Sequence, residues 1–159
     1  MNDAHLHLIF NHLPIVGLLI GTLVLIAGML LKKSEVKLTA FGIYIFSALA
    51  AIVANYTGEE AEEIVENISG ISETLIHTHE EYAETFLILA IILGALSLIG
   101  FVSELKKFKF ANFLAVMILL FAIAAGVSAK YVGTSGGEIR HSEIRDGAKV
   151  IPVDNDHDD

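Results

Sequence analysis

The chain contains no cysteine, and its ten lysine and arginine residues are outnumbered by 19 aspartates and glutamates. The absence of cysteine excludes disulfides, thiolate metal ligands and covalent attachment of haem. Any site must therefore use imidazole, carboxylate, tyrosine or backbone groups. The net charge of −9 disfavours nucleic acid as a partner and favours cations.

Charged residues of either sign are scarce, and the apolar runs are long. Hydrophobic residues make up 54% of the chain and charged residues 18%, and the mean hydropathy is +0.65. Four uncharged stretches lie at 13–31, 38–58, 85–103 and 110–129. A helix needs about 20 residues to cross a hydrocarbon core of ~30 Å. We therefore predict membrane-spanning helices at about 12–31, 38–58, 83–103 and 110–131, with the lipid bilayer as the main partner.

Lysines mark two short loops, which follow the first and the third stretch. These loops hold six of the ten basic residues: Lys32, Lys33, Lys37, Lys106, Lys107 and Lys109. Lysine-rich short loops face the cytoplasm. The N-terminus, the loop at 59–84 and the tail after Lys130 carry 17 of the 19 acidic residues and are predicted to face outside. This pattern predicts a multi-pass protein of the inner (cytoplasmic) membrane with both termini outside.

The predicted fold is an all-α four-helix membrane bundle, with a single domain at 1–150 and no internal repeat. No positive charge precedes the first apolar run, so the first helix is expected to remain as an anchor. Residues 59–66 have one apolar and one acidic face, which predicts an amphipathic helix over the bundle or on the lipid surface. Glycines at 133–137 are expected to end the fourth helix. Residues 138–145 are predicted to form a loop or hairpin over the outer mouth, and 151–159 a disordered acidic tail.

Histidines are concentrated on the predicted outer side, which makes that end of the bundle a candidate cofactor or metal site. All seven lie there: His5, His7, His12, His77, His79, His141 and His157. In the first span, helical spacing places His12 on one stripe with Val16 and Leu19, so His12 is predicted to face the bundle. Just below it, Gly17 and Gly21 form a G-x-x-x-G pair. This spacing indicates close helix packing, or alternatively room for a flat cofactor.

The third helix is predicted to begin near Ser72, outside the membrane, and to continue as one rod into the span. Along this rod His79 shares an apolar face with Ile76 and Phe86, whereas His77 shares a face with glutamates. We therefore expect His79 to point inward and His77 toward water. A single inward histidine is commonly a hydrogen-bonded core residue, but its coincidence in depth with His12 favours a shared site.

Carboxylates and further histidines near these two residues define a candidate metal site. Imidazole and carboxylate ligands suit Fe, Zn, Cu or Mn. The candidate ligands are His7, His12, His79, His141, Glu59, Glu63 and Glu143. For the glutamates of 59–66, a solvated acidic face is the simpler interpretation. Arg140 either forms surface salt bridges or holds an anionic group such as a haem propionate.

Residues 7–14, with the sequence HLIFNHLP, resemble the opening H-P-x-x-V-H-F-P of a family of small bacterial four-span membrane proteins of unknown function. Leu8 replaces the first proline of that pattern and Asn11 the valine. The family's tail carries a Gly-Gly pair followed by a histidine, which Gly136, Gly137 and His141 match. The architecture is also similar to that of small membrane b-type cytochromes, which implies helices that supply axial histidines to haem.

These residues and spacings leave three functional hypotheses. The favoured one is an electron-transfer protein that binds haem b through His12 and His79. The second is a non-haem metal protein that uses the mixed histidine and carboxylate set. The third is a structural or pH-sensing protein without a cofactor. A redox partner and a second copy of the chain are candidate partners, and nothing in the sequence decides whether the protein is an enzyme.

Overall fold

The computed structural model describes residues 2–145, and this part of the chain is helical without any strand. Four apolar helical segments are long enough to cross a membrane, which confirms the predicted all-α four-helix class. The predicted tail at 151–159 and His157 lie outside the described residues. The elements are α1 (Asp3–Phe10), α2 (His12–Leu30), α3 (Ser34–Val65), α4 (Glu73–Leu105), α5 (Ala111–Arg140) and a short 3-10 helix, η1 (Ser142–Ile144).

Consecutive helices pack against each other from α2 to α5, and α5 also contacts α2, so the four form a closed bundle. The short α1 lies on α3. The largest fully buried side chains are Tyr44, Phe41, Leu25, Leu93 and Ile118. Large apolar side chains such as Leu19, Leu49, Ile88 and Leu120 are exposed instead of buried. An apolar exterior of this extent suits contact with lipid tails.

Three of the helices extend well beyond their uncharged stretches, toward the acidic and histidine-rich side. The predicted start of α4 is confirmed, because α4 begins at Glu73 directly after Ser72. Residues 59–65, predicted as part of a separate amphipathic helix, are instead the last turns of α3. Each residue added to an existing helix gains a backbone hydrogen bond, and no proline interrupts this segment. The acidic turns thus rise directly from the span.

The expected break of α5 at residues 133–137 is wrong, because α5 continues to Arg140. Glycine costs only about 1 kcal/mol in a helix interior, and packing offsets this cost. After α5, Arg145 donates from Nε to the carbonyl of Glu138 (2.8 Å) and from Nη2 to that of Ile139 (3.2 Å). The segment predicted as a loop or hairpin is therefore a final helical turn and a 3-10 turn folded back on the end of α5.

The two helical hairpins, α2–α3 and α4–α5, have the same turn. In the first, the Lys33 N–H donates to the Gly28 carbonyl (3.0 Å) and the Lys32 N–H to that of Met29 (3.2 Å). In the second, the equivalent bonds run from Phe108 to Ser103 (3.0 Å) and from Lys107 to Glu104 (3.1 Å). Both are Schellman motifs. We call this side of the bundle the lysine end and the opposite side, formed by α1 and residues 59–84 and 130–145, the histidine end.

Candidate functional site

Two histidines of the histidine end, His7 and His79, are partly buried, whereas His5, His12, His77 and His141 are exposed. The predicted facing of the α4 pair therefore agrees with the structure, since His79 turns inward and the His77 side chain is 71% exposed. The predicted inward facing of His12 is wrong. The inward histidine of the N-terminal segment is His7.

The reversal between His7 and His12 concerns which face of the first span meets the bundle. The chain makes a turn at Asn11, between α1 and α2. Pro14 has no N–H, so it cannot donate to the Phe10 carbonyl as the continuous helix would require. The stripe of His12, Val16 and Leu19 lies within α2, but it faces away from the bundle, because all three side chains are exposed. The lipid side of a span is as apolar as its core side, so an apolar stripe alone does not identify the inward face. Asn11 Oδ1 instead forms a short hydrogen bond with His12 Nδ1 at the surface.

His7 is held against α3 by one hydrogen bond and one glycine contact. Its Nδ1 lies 3.0 Å from the Ala54 carbonyl oxygen and 3.5 Å from Thr57 Oγ1. A Cβ on Gly58 would lie 3.1 Å from His7 Cε1. The His7 ring thus lies against Gly58, which has no side chain, and a larger residue at position 58 would crowd the ring.

His79 is held against α5 in the same manner. Its Nδ1 lies 3.0 Å from Ser135 Oγ, and a Cβ on Gly136 would lie 2.9 Å from His79 Cε1. Ser135 Oγ donates its hydrogen to the Val132 carbonyl (3.2 Å). Each of the two histidines, His7 from α1 and His79 from α4, therefore contacts a hydroxyl residue and a glycine of the helix against which it packs, namely Thr57-Gly58 of α3 or Ser135-Gly136 of α5.

This repetition was missed in the sequence, where no internal repeat was expected. Its signal is short: a Thr-Gly pair in the second helix of one hairpin and a Ser-Gly pair in the second helix of the other. The two histidines precede these pairs at unequal distances, with His7 50 residues before Thr57 and His79 56 residues before Ser135. Only the packed structure relates the two pairs.

The hydrogen bonds define the same tautomer for both rings. A carbonyl oxygen can only accept, so His7 must donate from Nδ1–H to Ala54. Ser135 uses its own hydrogen on Val132, so its oxygen accepts from Nδ1–H of His79. In the neutral form each ring therefore has its lone pair on Nε2. A backbone carbonyl that fixes Nδ1–H is a common arrangement around a ligating histidine.

Both rings lie in helical extensions beyond the uncharged stretches, and both favour the neutral state. Burial lowers the pKa of His79, and the nearby charge of His7 lowers it further, against the opposing effect of the Val132 carbonyl. Burial also lowers the pKa of His7, with a smaller contribution from His12 and an opposing one from the Ala54 carbonyl. A neutral imidazole is the form that binds a metal.

The mixed histidine and carboxylate set is not brought together. Among residues 2–145, no three histidine, aspartate or glutamate side chains are grouped so that they could hold a metal ion. Glu59 accepts a hydrogen bond from Asn55 (2.7 Å), and Glu63 is exposed. The exposed His141 and Glu143 pair with each other (2.9 Å), and Arg140 is exposed as well.

Gly17 and Gly21 serve helix packing. A Cβ on Gly17 would overlap Ser47 Oγ, and one on Gly21 would lie 2.9 Å from the Tyr44 ring. The space above both glycines is therefore filled by α3. Of the two interpretations of the G-x-x-x-G pair, close packing agrees with the structure.

Comparison with protein-family models, with curated proteins and with solved structures finds no significant match to this chain.

Proposed function

We propose that this chain is a membrane electron-transfer protein that binds haem b between His7 and His79. The observation that carries the proposal is the matched state of the two imidazoles. Both favour the neutral form, both donate from Nδ1, and both keep the Nε2 lone pair for a ligand. Two histidines from different helices are the protein ligands of many b-type haems.

The number of protein donors favours haem over a bare metal ion. A structural zinc site takes four protein ligands and a catalytic one three. In residues 2–145 only two imidazoles are held in this matched way, and no group of three ligands forms. Haem iron needs only one or two protein ligands, since the porphyrin supplies four nitrogens. The donor set therefore fits haem.

The chain's own residues hold and orient the ligands. The Ala54 carbonyl and the Ser135 hydroxyl fix the two Nδ1–H groups, while Gly58 and Gly136 let the rings lie close to α3 and α5. Arg140 lies one turn beyond Gly136 on α5, where its guanidinium would pair with a propionate. When bound, haem would supply one-electron redox chemistry.

The proposal also gives a role to the residues of the family resemblance. His7 of the opening pattern is the inward ligand, and Pro14 accompanies the break between α1 and α2 that separates His7 from the first span. Gly136, from the Gly-Gly pair, contacts the second ligand. On these residues we propose that the chain belongs to that four-span family. We further propose that the histidine end faces outward from the inner membrane.

The test is the optical spectrum of the full chain purified in detergent from cells supplied with a haem precursor. We expect a Soret band that is lost in both His7→Ala and His79→Ala. The matched controls His12→Ala and His77→Ala, which remove exposed histidines of the same two segments, should retain it. A colourless wild-type protein, or equal loss in all four variants, would contradict the proposal.

A further inference from the structure

A cavity of about 470 Å³ lies at the lysine end, between the turns of the two hairpins. Lys32 and Lys37 from the first hairpin and Lys107 from the second contribute three cations to its wall, against the single carboxylate of Glu104. The remaining wall includes the apolar residues Met29, Phe108 and Val116. The cavity is therefore electropositive and partly apolar.

The carboxylate neutralises only one of these lysines. Glu104 Oε1 lies 2.7 Å from Lys37 Nζ and also accepts from Ser34 Oγ. Lys37 Nζ donates in addition to Asn112 Oδ1 (2.9 Å). Lys32 and Lys107 remain as the excess positive charge on the wall.

Glu104 also has an oxygen without a partner. Its side chain is 7% exposed, and Oε2 is buried with no hydrogen-bond donor. A buried polar atom in this state is uncommon, because leaving it unsatisfied costs about 1–3 kcal/mol. A ligand with an O–H or N–H group would supply the missing donor.

The backbone at the two remaining lysines is unusual. Lys32 (φ 52°) and Lys107 (φ 54°) are the two non-glycine residues with positive φ between residues 2 and 145. This conformation costs a side-chain-bearing residue about 1–2 kcal/mol, and glycine is the usual residue at this position of a Schellman motif. The general attraction of a cation to a helix C-terminus does not explain why lysine occupies positions 32 and 107, since Lys33 and Lys106 already adjoin the same turns.

From these observations we propose that the cavity binds a phosphate group, with Lys32 and Lys107 as its charged donors. Two lysines on the wall of one cavity can supply strong charge-assisted hydrogen bonds to phosphate oxygens. A phospholipid headgroup is the source that the surroundings favour, because basic pockets between membrane helices recognise such groups and the wall includes apolar residues. A headgroup hydroxyl or ammonium would donate to Glu104 Oε2.

The test uses the full chain in detergent and follows its thermal unfolding midpoint in three titrations. The additives are dioctanoyl-phosphatidylglycerol, inorganic phosphate and dioctanoylglycerol, which lacks phosphate. The variant Lys32→Gly/Lys107→Gly removes both donors while placing glycine where glycine is unstrained, so its fold should be at least as stable without additive. The matched control Lys33→Ala/Lys106→Ala removes the same charge from the neighbouring positions.

We expect phosphatidylglycerol to raise the midpoint of the wild type and of the control, with an apparent affinity weakened about tenfold or more in the glycine variant. If inorganic phosphate also stabilises the protein through Lys32 and Lys107, the phosphate site is supported, with free phosphate as its ligand. Equal weakening in both double variants would show an effect of net charge alone and overturn the proposal. Equal stabilisation by dioctanoylglycerol and by phosphatidylglycerol would also overturn the proposal. So would the absence of stabilisation by any of the three additives.

Discussion

At the scale of single residues, burial changes the structural role of a charged side chain. Lys37 belongs, by the charge pattern, to a cytoplasmic loop, yet it is 6% exposed and paired with Glu104 across the bundle. The pair joins α3 to α4, and Asn112 adds a contact from α5. A lysine that helps to predict topology is therefore also a core residue.

Breaking this pair should destabilise the bundle more than replacing it. Lys37→Met leaves the Glu104 carboxylate buried without its cation, and we expect a cost of about 3–5 kcal/mol in the free energy of unfolding. Lys37→Met/Glu104→Leu removes both charges and should recover most of that loss. Unfolding in mixed micelles with increasing denaturing detergent measures both. The control is Glu35→Gln, an exposed change in the first turn of α3, which should have no effect. A double variant as unstable as the single one would contradict this interpretation of the pair.

At the scale of helices, small residues decide where neighbouring elements meet. A Cβ on Gly58 would contact the His7 ring, and a Cβ on Gly136 would contact the His79 ring. At Gly126 and Gly133 a Cβ would meet open space. Glycines of the same helix, α5, thus play different roles. The cluster at 133–137 is typical of a helix break in the sequence, but in the bundle it provides the contact surface for His79.

Replacing two glycines of α5 should have opposite effects. Gly136→Ala places a Cβ 2.9 Å from His79 Cε1, which should displace the ring and cost about 1–3 kcal/mol. Gly133→Ala meets nothing within 4 Å and should be neutral or stabilising by up to about 1 kcal/mol. Equilibrium unfolding gives both values, and the imidazole ¹⁵N shifts report whether His79 keeps its Nδ1–H. If both variants were destabilised equally, the specific contact with His79 would be refuted.

At the scale of the whole molecule, two hairpins with the same turn meet in one bundle. Each has a lysine turn at one end and, at the other, a Thr-Gly or Ser-Gly pair against which a histidine packs. Long antiparallel helices with short turns explain why neighbours in sequence are neighbours in space. The bundle thus has two chemically different ends.

The histidine end should loosen as the pH falls, with or without a cofactor. Because the pKa values of His7 and His79 are lowered, the unfolded state binds more protons, so stability declines as the pH drops below about 6.5. Glu62 acts in the opposite direction, since burial and then the charges of Glu80 and Glu66 raise its pKa.

Hydrogen exchange at pH 7.5 and 5.5 measures this effect. We expect exchange in α1 and the first turns of α4, beyond the intrinsic change in rate, to be faster at the lower pH. The dependence should shrink in His79→Gln and persist in His77→Gln. An unchanged pH dependence in His79→Gln would assign the effect to other groups, and the cofactor-free sensing hypothesis would lose its physical basis.

The orientation of the molecule is testable with a reporter fused after Asp159. The six lysines of the two short loops predict that this terminus lies outside the cytoplasm. A reporter that is active only outside should therefore work at this position, and one that is active only in the cytoplasm should not. Cytoplasmic activity would place the histidine end inside and reverse the proposed orientation.

The sequence alone determined the number of span-length helices, their approximate positions, and which end of the bundle carries the lysines and which the histidines, because apolar length and charge are local properties. It also predicted the facing of His79, which lies on one continuous helix where periodicity holds. In the first span the stripe of His12, Val16 and Leu19 faces outward and the inward histidine is His7, because the lipid side of a span is as apolar as its core side. Tertiary packing decided the role of the glycines at 133–137, the burial of Lys37 and the convergence of Lys32 and Lys107 on one cavity. These features depend on what the neighbouring helix presents, and helical periodicity within one segment carries no information about its neighbour.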